Sequence, residues 1–237
     1  MKAIVFIPTY NEKGNIEELI SGILGLDVRP LGLELEVLVV DDDSSDGTAQ
    51  ALDALARADR RVSVIHRLGR RGRGLAGREG FIRALERGAD YVVEMDADLS
   101  HNPEDIPRLL SACGDADVVI GSRFVKGGSS EGRSWCRDSF SVLCGFFCRT
   151  VLGLRIEDPT SGFRCFKRHA LEGIGASSLR SQGPAIIEEA NYRIQKNGFM
   201  VKEIPIIFSE RRHGTSKLNL RKLAGVFRTL VMVRFSG

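Results

Sequence analysis

The sequence has no run near the roughly 18 uninterrupted apolar residues that a transmembrane helix requires, so the chain is not expected to span a bilayer. Its first apolar run, Ala3 to Ile7, follows a single lysine and ends at Pro8. That is too short for the core and cleavage site of a signal peptide, and it reads as a first strand. The five cysteines form an odd set without a CxxC pair or a matched histidine spacing. This speaks against structural zinc and for reduced thiols acting as small apolar residues in a cytosolic protein. An excess of one charge is also missing: 34 Lys and Arg face 31 Asp and Glu. A balance so slightly basic does not by itself call for a nucleic-acid partner. Internal repeats and low-complexity tracts are absent too.

The 237 residues suit one domain with a substantial core. Short β-branched runs occur at Ala3 to Ile7, Leu35 to Val40, Val62 to His66, Tyr91 to Met95 and Val118 to Gly121, with helix-period segments between them. That alternation predicts an α/β fold with a mostly parallel sheet. Ile16, Leu19, Ile20, Ile23 and Leu24 mark one buried helix face, and Asn15 with Glu18 resembles a capping box. After Gly121 the pattern changes to a Gly/Ser-rich loop over 127–132 and a long apolar segment from Trp135 to Leu154. A last strand, Val201 to Phe208, is expected before a basic loop, Glu210 to Lys217, and a terminal helix from about Leu220.

Ligands of open α/β sheets gather outside the carboxyl ends of strands, so the residues that follow each strand carry the chemistry. Asp96 and Asp98 follow one of them, one residue apart, in Glu94-Met95-Asp96-Ala97-Asp98-Leu99-Ser100-His101. Two such carboxylates can reach a hard divalent cation that also binds diphosphate oxygens. Helix capping is the competing role, but one cap requires one aspartate. His101 reads as orienting this loop rather than ligating metal. In Val40-Asp41-Asp42-Asp43-Ser44-Ser45-Asp46-Gly47-Thr48, carboxylates could accept bonds from base amines or ribose hydroxyls. The Asp-Gly-Thr tail invites comparison with aspartyl-nucleophile phosphatases, but Ser44 stands where their second carboxylate is needed.

In Pro8-Thr9-Tyr10-Asn11-Glu12, Tyr10 could stack on a base and Glu12 accept from its donors, although a plain strand-to-helix turn would look the same. Arg211 and Lys217, in a basic loop with a glycine, could close over a diphosphate or simply be solvated. The arginines between His66 and Gly74 could form an RNA-binding patch, but no aromatic residue stands among them. A loop carrying cations to a phosphorylated ligand suits the surrounding residues better.

The ordered series PTYNE, VVDDDSSDGT, EMDADLSHNPE, IGSRF, DPTSGFR, VKEIPIIF and ERRHGTSK covers nearly the whole chain. It resembles the polyprenol-phosphate (dolichol-phosphate) mannose synthases, inverting glycosyltransferases of family two with the GT-A fold. The resemblance implies a GT-A, Rossmann-like single domain: a nucleotide-sugar half over 1–126 and an acceptor half over 127–237 ending in an amphipathic helix. It implies that Pro8, Tyr10, Glu12, Val40 and Asp42 form the nucleoside pocket. Asp96, Ala97, Asp98 and Ser100 would form the metal and sugar-diphosphate site, with Asp96, Asp98 and Ser100 as ligands of Mg²⁺ or Mn²⁺. Arg123, Arg211 and Lys217 would contact phosphates and, with Asp98, carry catalysis.

The reaction so implied moves mannose from GDP-mannose to a polyprenyl phosphate, with a transferase using UDP-glucose or another nucleotide sugar as the alternative. A noncatalytic nucleotide- or RNA-binding module is the alternative of a different class. The expected location is cytoplasmic, peripheral to the cytoplasmic face of a membrane, with an anchoring partner possible and no nucleic acid. Interfacial binding would use Trp135 to Leu154 and the terminal helix, where Leu220, Leu223, Phe227, Leu230 and Val231 stand beside Arg221, Lys222, Arg228 and Arg234. Packing on the core would produce the same stripes. The chain departs from the family pattern at three places. Ser100 stands for a common Gln, Gly183-Pro184-Ala185-Ile186-Ile187-Glu188-Glu189 for Gly-Tyr-x-Phe-Gln-Ile-Glu, and Arg73 and Gly77 for the Leu and Tyr of GLGxAY.

Overall fold

A computed structural model describes residues 1–132, 135–210 and 220–235, the side chains of 135–140, 220–226 and 228 lying outside that description. In chain order the elements are β1 (Lys2–Thr9), α1 (Lys13–Leu24), β2 (Glu34–Asp41), α2 (Thr48–Ala58), β3 (Val62–His66), α3 (Arg73–Glu86), β4 (Tyr91–Glu94), α4 (Ile106–Ala112) and β5 (Val118–Ser122). There follow β6 (Ser129–Glu131), α5 (Trp135–Leu152), β7 (Arg164–Lys167), α6 (Arg168–Gly173), α7 (Ile186–Lys196), β8 (Val201–Pro205), β9 (Ile207–Ser209) and α8 (Leu220–Phe235).

Seven strands form one sheet in the order β3-β2-β1-β4-β7-β5-β8. Every pair is parallel except those of β7, which runs antiparallel between β4 and β5. The expected mostly parallel α/β architecture is therefore present. Register aligns the strand ends: Pro8 faces Val40, Thr9 faces Asp41, and Phe6 faces Glu94. Tyr10, Asp42 and Asp96 consequently leave the sheet along one edge.

Both sheet faces are buried, as parallel strands require. Ile16, Leu19, Ile20 and Ile23 of α1 are fully buried on one face, with Leu109 of α4. Phe81 of α3 packs on the other, edge-on to Phe6 at 5.0 Å and to Phe166 at 5.4 Å. A third cluster joins α5 to α8 through Cys148, Leu152 and Leu230, with Phe147 edge-on to Phe227 at 4.4 Å. The four cysteines whose side chains are described, Cys113, Cys144, Cys148 and Cys165, are free thiols. No helix among the described residues is long and apolar enough to cross a membrane.

Two local expectations are corrected. Asn15 does not cap α1; the helix begins at Lys13, where the Glu12 carbonyl accepts from Asn15 and Ile16. The Asn15 side chain instead donates to Glu12 Oε2 at 2.8 Å. The single strand expected from Val201 to Phe208 is two, because the chain passes at buried Ile206 from the large sheet (β8) to a small parallel pair with β6 (β9).

Candidate active site

A cleft of about 1390 Å³ opens where β1, β2 and β4 end, lined by Pro8, Tyr10, Glu12, Asp42, Asp96, Ala97 and Asp98. These seven of the residues expected at the site thus come together from three separate turns. Val40 is buried in β2 opposite Pro8 and backs the pocket without lining it. The facing wall is the loop before α7, Ser181 to Ala185. That loop lies against the start of α3, where a Cβ on Gly74 would stand 2.1 Å from the Ser181 carbonyl oxygen. Gly72 is under the same constraint, its Cβ position being 2.4 Å from the Gln182 carbonyl oxygen. Only glycine permits backbone to approach backbone so closely.

The arginines between His66 and Gly74 are not an open patch; four of them brace the cleft. Arg67 pairs with Asp42, whose other oxygen accepts from Gly72 N at 2.5 Å. Arg70 donates to Gln182 Oε1 at 2.6 Å. Arg71 lies 4.8 Å over the Tyr10 ring, donates to its hydroxyl at 2.9 Å and pairs with Asp43 at 2.9 Å. Arg73 reaches Glu94 Oε1 at 2.8 Å and Asp96 Oδ1 at 3.2 Å. Asp46 accepts from Thr48 N at 3.0 Å and from the Thr48 hydroxyl, a turn-forming role that does not fit a nucleophile.

Asp96 and Asp98 fit a divalent cation. Both are half-buried on the cleft floor and offer hard oxygens. Space is kept for the first of them: a Cβ on Gly162 would come within 2.9 Å of Asp96 Oδ2. No cluster of three or more His, Cys, Asp or Glu groups forms among the described residues. Oxygens of the ligand itself and water would therefore complete the shell. Ser100 is buried behind the floor, where its hydroxyl and amide donate to Asp98 Oδ1. It orients Asp98 and does not line the cleft. His101 is stacked on Phe163 at 5.0 Å and edge-on to Phe208 at 5.3 Å, so it fixes the loop as expected. Burial lowers its pKa and keeps it neutral.

Arg123 was expected to contact phosphate, but its guanidinium is engaged elsewhere, with both contacts to Asp158 at 2.7 Å and one to Thr160 at 2.8 Å. Its side chain is 8 % exposed and does not line the cleft. Arg211 and Lys217 lie outside the described residues. Sequence reasoning gave no individual role to Arg71 and Arg73, which line the cleft, and missed Gln182 in the wall and the buried pair Glu94 and Arg164 behind the floor. The signal for that pair was present, since a charge in an otherwise apolar strand demands a partner.

A crevice at the ends of parallel strands, floored by paired carboxylates and walled by a tyrosine and an aspartate, places the chain among α/β proteins whose ligand site lies outside the carboxyl ends of the strands. Residues 4–175 match the family described as Glycosyl transferase family 2. The chain belongs to that family and is a glycosyltransferase, which sets aside the noncatalytic reading. It is 41% identical over 220 residues to a polyprenol monophosphomannose synthase of Mycolicibacterium smegmatis, covering 92% of this chain and 81% of the relative. It is also 41% identical over 219 residues to an undecaprenyl-phosphate mannosyltransferase of Micrococcus luteus, covering 92% and 88%. Among solved structures, glucosyl-3-phosphoglycerate synthase of Mycobacterium tuberculosis, with Mn²⁺, UDP and glucosyl-3-phosphoglycerate, superposes with a TM-score of 0.69. At 20% identity over 99% of this chain and 79% of that one, the likeness establishes the GT-A fold.

Proposed function

We propose that the protein transfers mannose from GDP-mannose to the phosphate of a membrane polyprenol, inverting the anomeric centre. The names of the two relatives at 41% identity carry this reading for sugar and acceptor. The cleft chemistry supports it. Tyr10 offers a ring face to the base, and Asp42 and Glu12 offer acceptors to the amino and imino groups of guanine. Asp42 already accepts from Arg67 and Gly72, yet a carboxylate has about four lone-pair sites and keeps capacity for more.

Asp96 and Asp98 hold the cation, with Ser100 fixing the rotamer of Asp98. When bound, that ion neutralises charge on the departing nucleoside diphosphate. A phosphate monoester is largely dianionic at neutral pH, its second pKa being about 6. The protein therefore needs no strong general base; its task is to align acceptor and anomeric carbon. Arg211 and Lys217 would close over the diphosphate, residues 1–126 serving the donor and 127–237 the acceptor.

Access to a lipid is supported by the outer faces of α5 and α8. Leu143 and Phe146 are 62 % and 59 % exposed, and Phe235 is 83 % exposed, while the opposite faces of the same helices are packed together. Of the α8 stripe, Phe227 and Leu230 pack toward α5 and Val231 is 42 % exposed, so core packing accounts for part of it and the interfacial role is proposed for the outer faces. This suits a peripheral position on the cytoplasmic face of a membrane, with or without an anchoring partner. A UDP-glucose donor is the second reading, favoured by the solved relative's complexes with that sugar nucleotide. Offering GDP-mannose, GDP-glucose, UDP-glucose and UDP-galactose with a polyprenyl phosphate decides between them. Turnover with GDP-mannose alone is expected, and a preference for a UDP-sugar would overturn the donor assignment.

A further inference from the structure

Two of the places where the chain departs from its family's motifs meet in space. Arg73 opens α3, Glu188 lies in the first turn of α7, and the two helices pack on each other. Between them and the cleft floor is a buried charged cluster that sugar transfer does not by itself require. Glu94 and Arg164 are its fixed part, both wholly buried and ion-paired. Arg164 Nε donates to Glu94 Oε2 at 3.0 Å, while its Nη1 ties β7 to α7 through the Ile187 carbonyl at 3.1 Å and Asn191 Oδ1 at 3.2 Å.

Arg73 is held less completely. Its Nη2 serves both Glu94 Oε1 and Asp96 Oδ1, and the contact to Glu94 lacks hydrogen-bond geometry, leaving that oxygen without a donor. Its Nη1 is buried with no hydrogen-bond partner. One matching acceptor is likewise unused: Glu188 Oε2 is buried and receives no hydrogen bond. The direction of Nη1 follows from Gly77, where a Cβ would stand 3.2 Å from Arg73 Nη1 and 3.3 Å from Ile186 Cδ1. The free end of the guanidinium therefore points along α3 toward the turn that carries Glu188. A buried donor and a buried acceptor left unpaired are each unfavourable, so an arrangement that joins them is favoured once Arg73 is released from Asp96.

Resting on the metal-dependent reading above, we infer that Arg73 and Glu188 are positioning residues of the cation site: Arg73 holds Asp96 while no cation is bound and turns to Glu188 when a cation takes Asp96. The exchange keeps opposite charges adjacent at each stage. Before it, Arg73 and Arg164 together balance Glu94 and Asp96; after it, the cation faces Asp96, and Arg73 stands between Glu94 and Glu188. Burial pushes the Glu188 carboxyl up to about 7, as suits an acid that lacks an ion-pair partner until Arg73 reaches it. Cys144 and Cys148 on α5 face it as thiols pushed up by burial, and Arg164 on β7, already paired with Glu94, favours its charged form as Arg73 does.

The test is a double-mutant cycle read as Mn²⁺ affinity, followed through the free-Mn²⁺ electron paramagnetic resonance signal with excess GDP and, separately, excess UDP. Glu188→Gln is expected to weaken Mn²⁺ binding about tenfold, a coupling within the span measured for neighbouring charged residues. Arg73→Met should bind Mn²⁺ at least as tightly as the unaltered protein. In the Arg73→Met background, adding Glu188→Gln should change nothing. An equal loss in both backgrounds would mean that Glu188 acts on the cation directly, and overturns the exchange while leaving the metal site standing. Absence of Mn²⁺ binding by the unaltered protein would overturn both the exchange and the metal-dependent reading. If Arg73→Met does not fold, the same loss of coupling is read in Arg73→Lys, which keeps a positive charge beside Glu94 but lacks the second nitrogen.

Discussion

The close approach of α3 to the cleft wall gives a sharp expectation for Gly74→Ala. Its new methyl would stand 2.1 Å from the Ser181 carbonyl oxygen and 2.7 Å from both the Gln182 carbonyl carbon and the Gly183 oxygen. All three are backbone atoms, which cannot swing aside as a side chain does. The loop must move by more than an ångström, enough to break the 2.9 Å bond from Gly74 N to the Gln182 carbonyl. Overpacking costs roughly 1–3 kcal/mol and the lost bond about 1 kcal/mol, against a helix-propensity gain of up to about 1 kcal/mol. The net is about 1–3 kcal/mol, or a Tm lower by roughly 3–9 °C in a chain of this size. Because Gln182 and Gly183 line the cleft, nucleotide affinity should fall as well. Gly22→Ala is the control: it sits in α1 with only the Pro103 ring near, at 3.6 Å, and should leave Tm unchanged or slightly higher. Thermal unfolding of both variants with nucleotide titration checks this. If Gly74→Ala were as benign as Gly22→Ala, the wall would not be built as described.

Glu188 supplies a pH signature in metal-free protein. Its carboxyl is raised from 4.5 to about 7 by burial, so the folded state holds a proton that the unfolded chain has released. Stability from this group is present below about pH 4.5 and is lost as pH rises through about 7, a change of roughly 3 kcal/mol. Glu188→Gln should remove that slope, so denaturant midpoints of the two proteins would agree at pH 4.5 and differ at pH 8; parallel profiles would count against it. Replacing Leu143 and Phe146 by serine should weaken binding to anionic vesicles at least tenfold, since each apolar side chain is worth about 1.5–3 kcal/mol when buried. Flotation that is unchanged in the variant would return α5 to a purely structural role. Arg211→Ala should lower kcat more than GDP affinity if the cation acts on developing charge, and equal losses would indicate ordinary ligand binding.

Much of the donor side was legible because its signals are local. A β-branched run followed at once by carboxylates places Asp42 and Asp96 at strand ends, and parallel pairing brings those ends together. What failed depended on distant partners. Strand β7 is only four residues, Arg164-Cys165-Phe166-Lys167, and its place between β4 and β5 is decided by pairing that no periodicity reveals. Arg67, Arg70, Arg71 and Arg73 looked alike in sequence, but Arg67 and Arg71 meet the turn after β2, Arg70 meets Gln182 and Arg73 meets Asp96. Arg123 follows β5, and its pairing with Asp158, 35 residues away, could not be seen in the local sequence.

In the proposed function the two aspartates of the cleft floor hold a cation that drives transfer of a sugar to a lipid phosphate. It is tested most directly by following radiolabelled mannose from GDP-mannose into polyprenyl phosphate with Mg²⁺ or Mn²⁺, in excess EDTA, and in Asp98→Asn. Transfer that stops in EDTA and falls at least about 100-fold in a folded Asp98→Asn protein is the predicted result. Undiminished transfer in EDTA, or in Asp98→Asn, would contradict it.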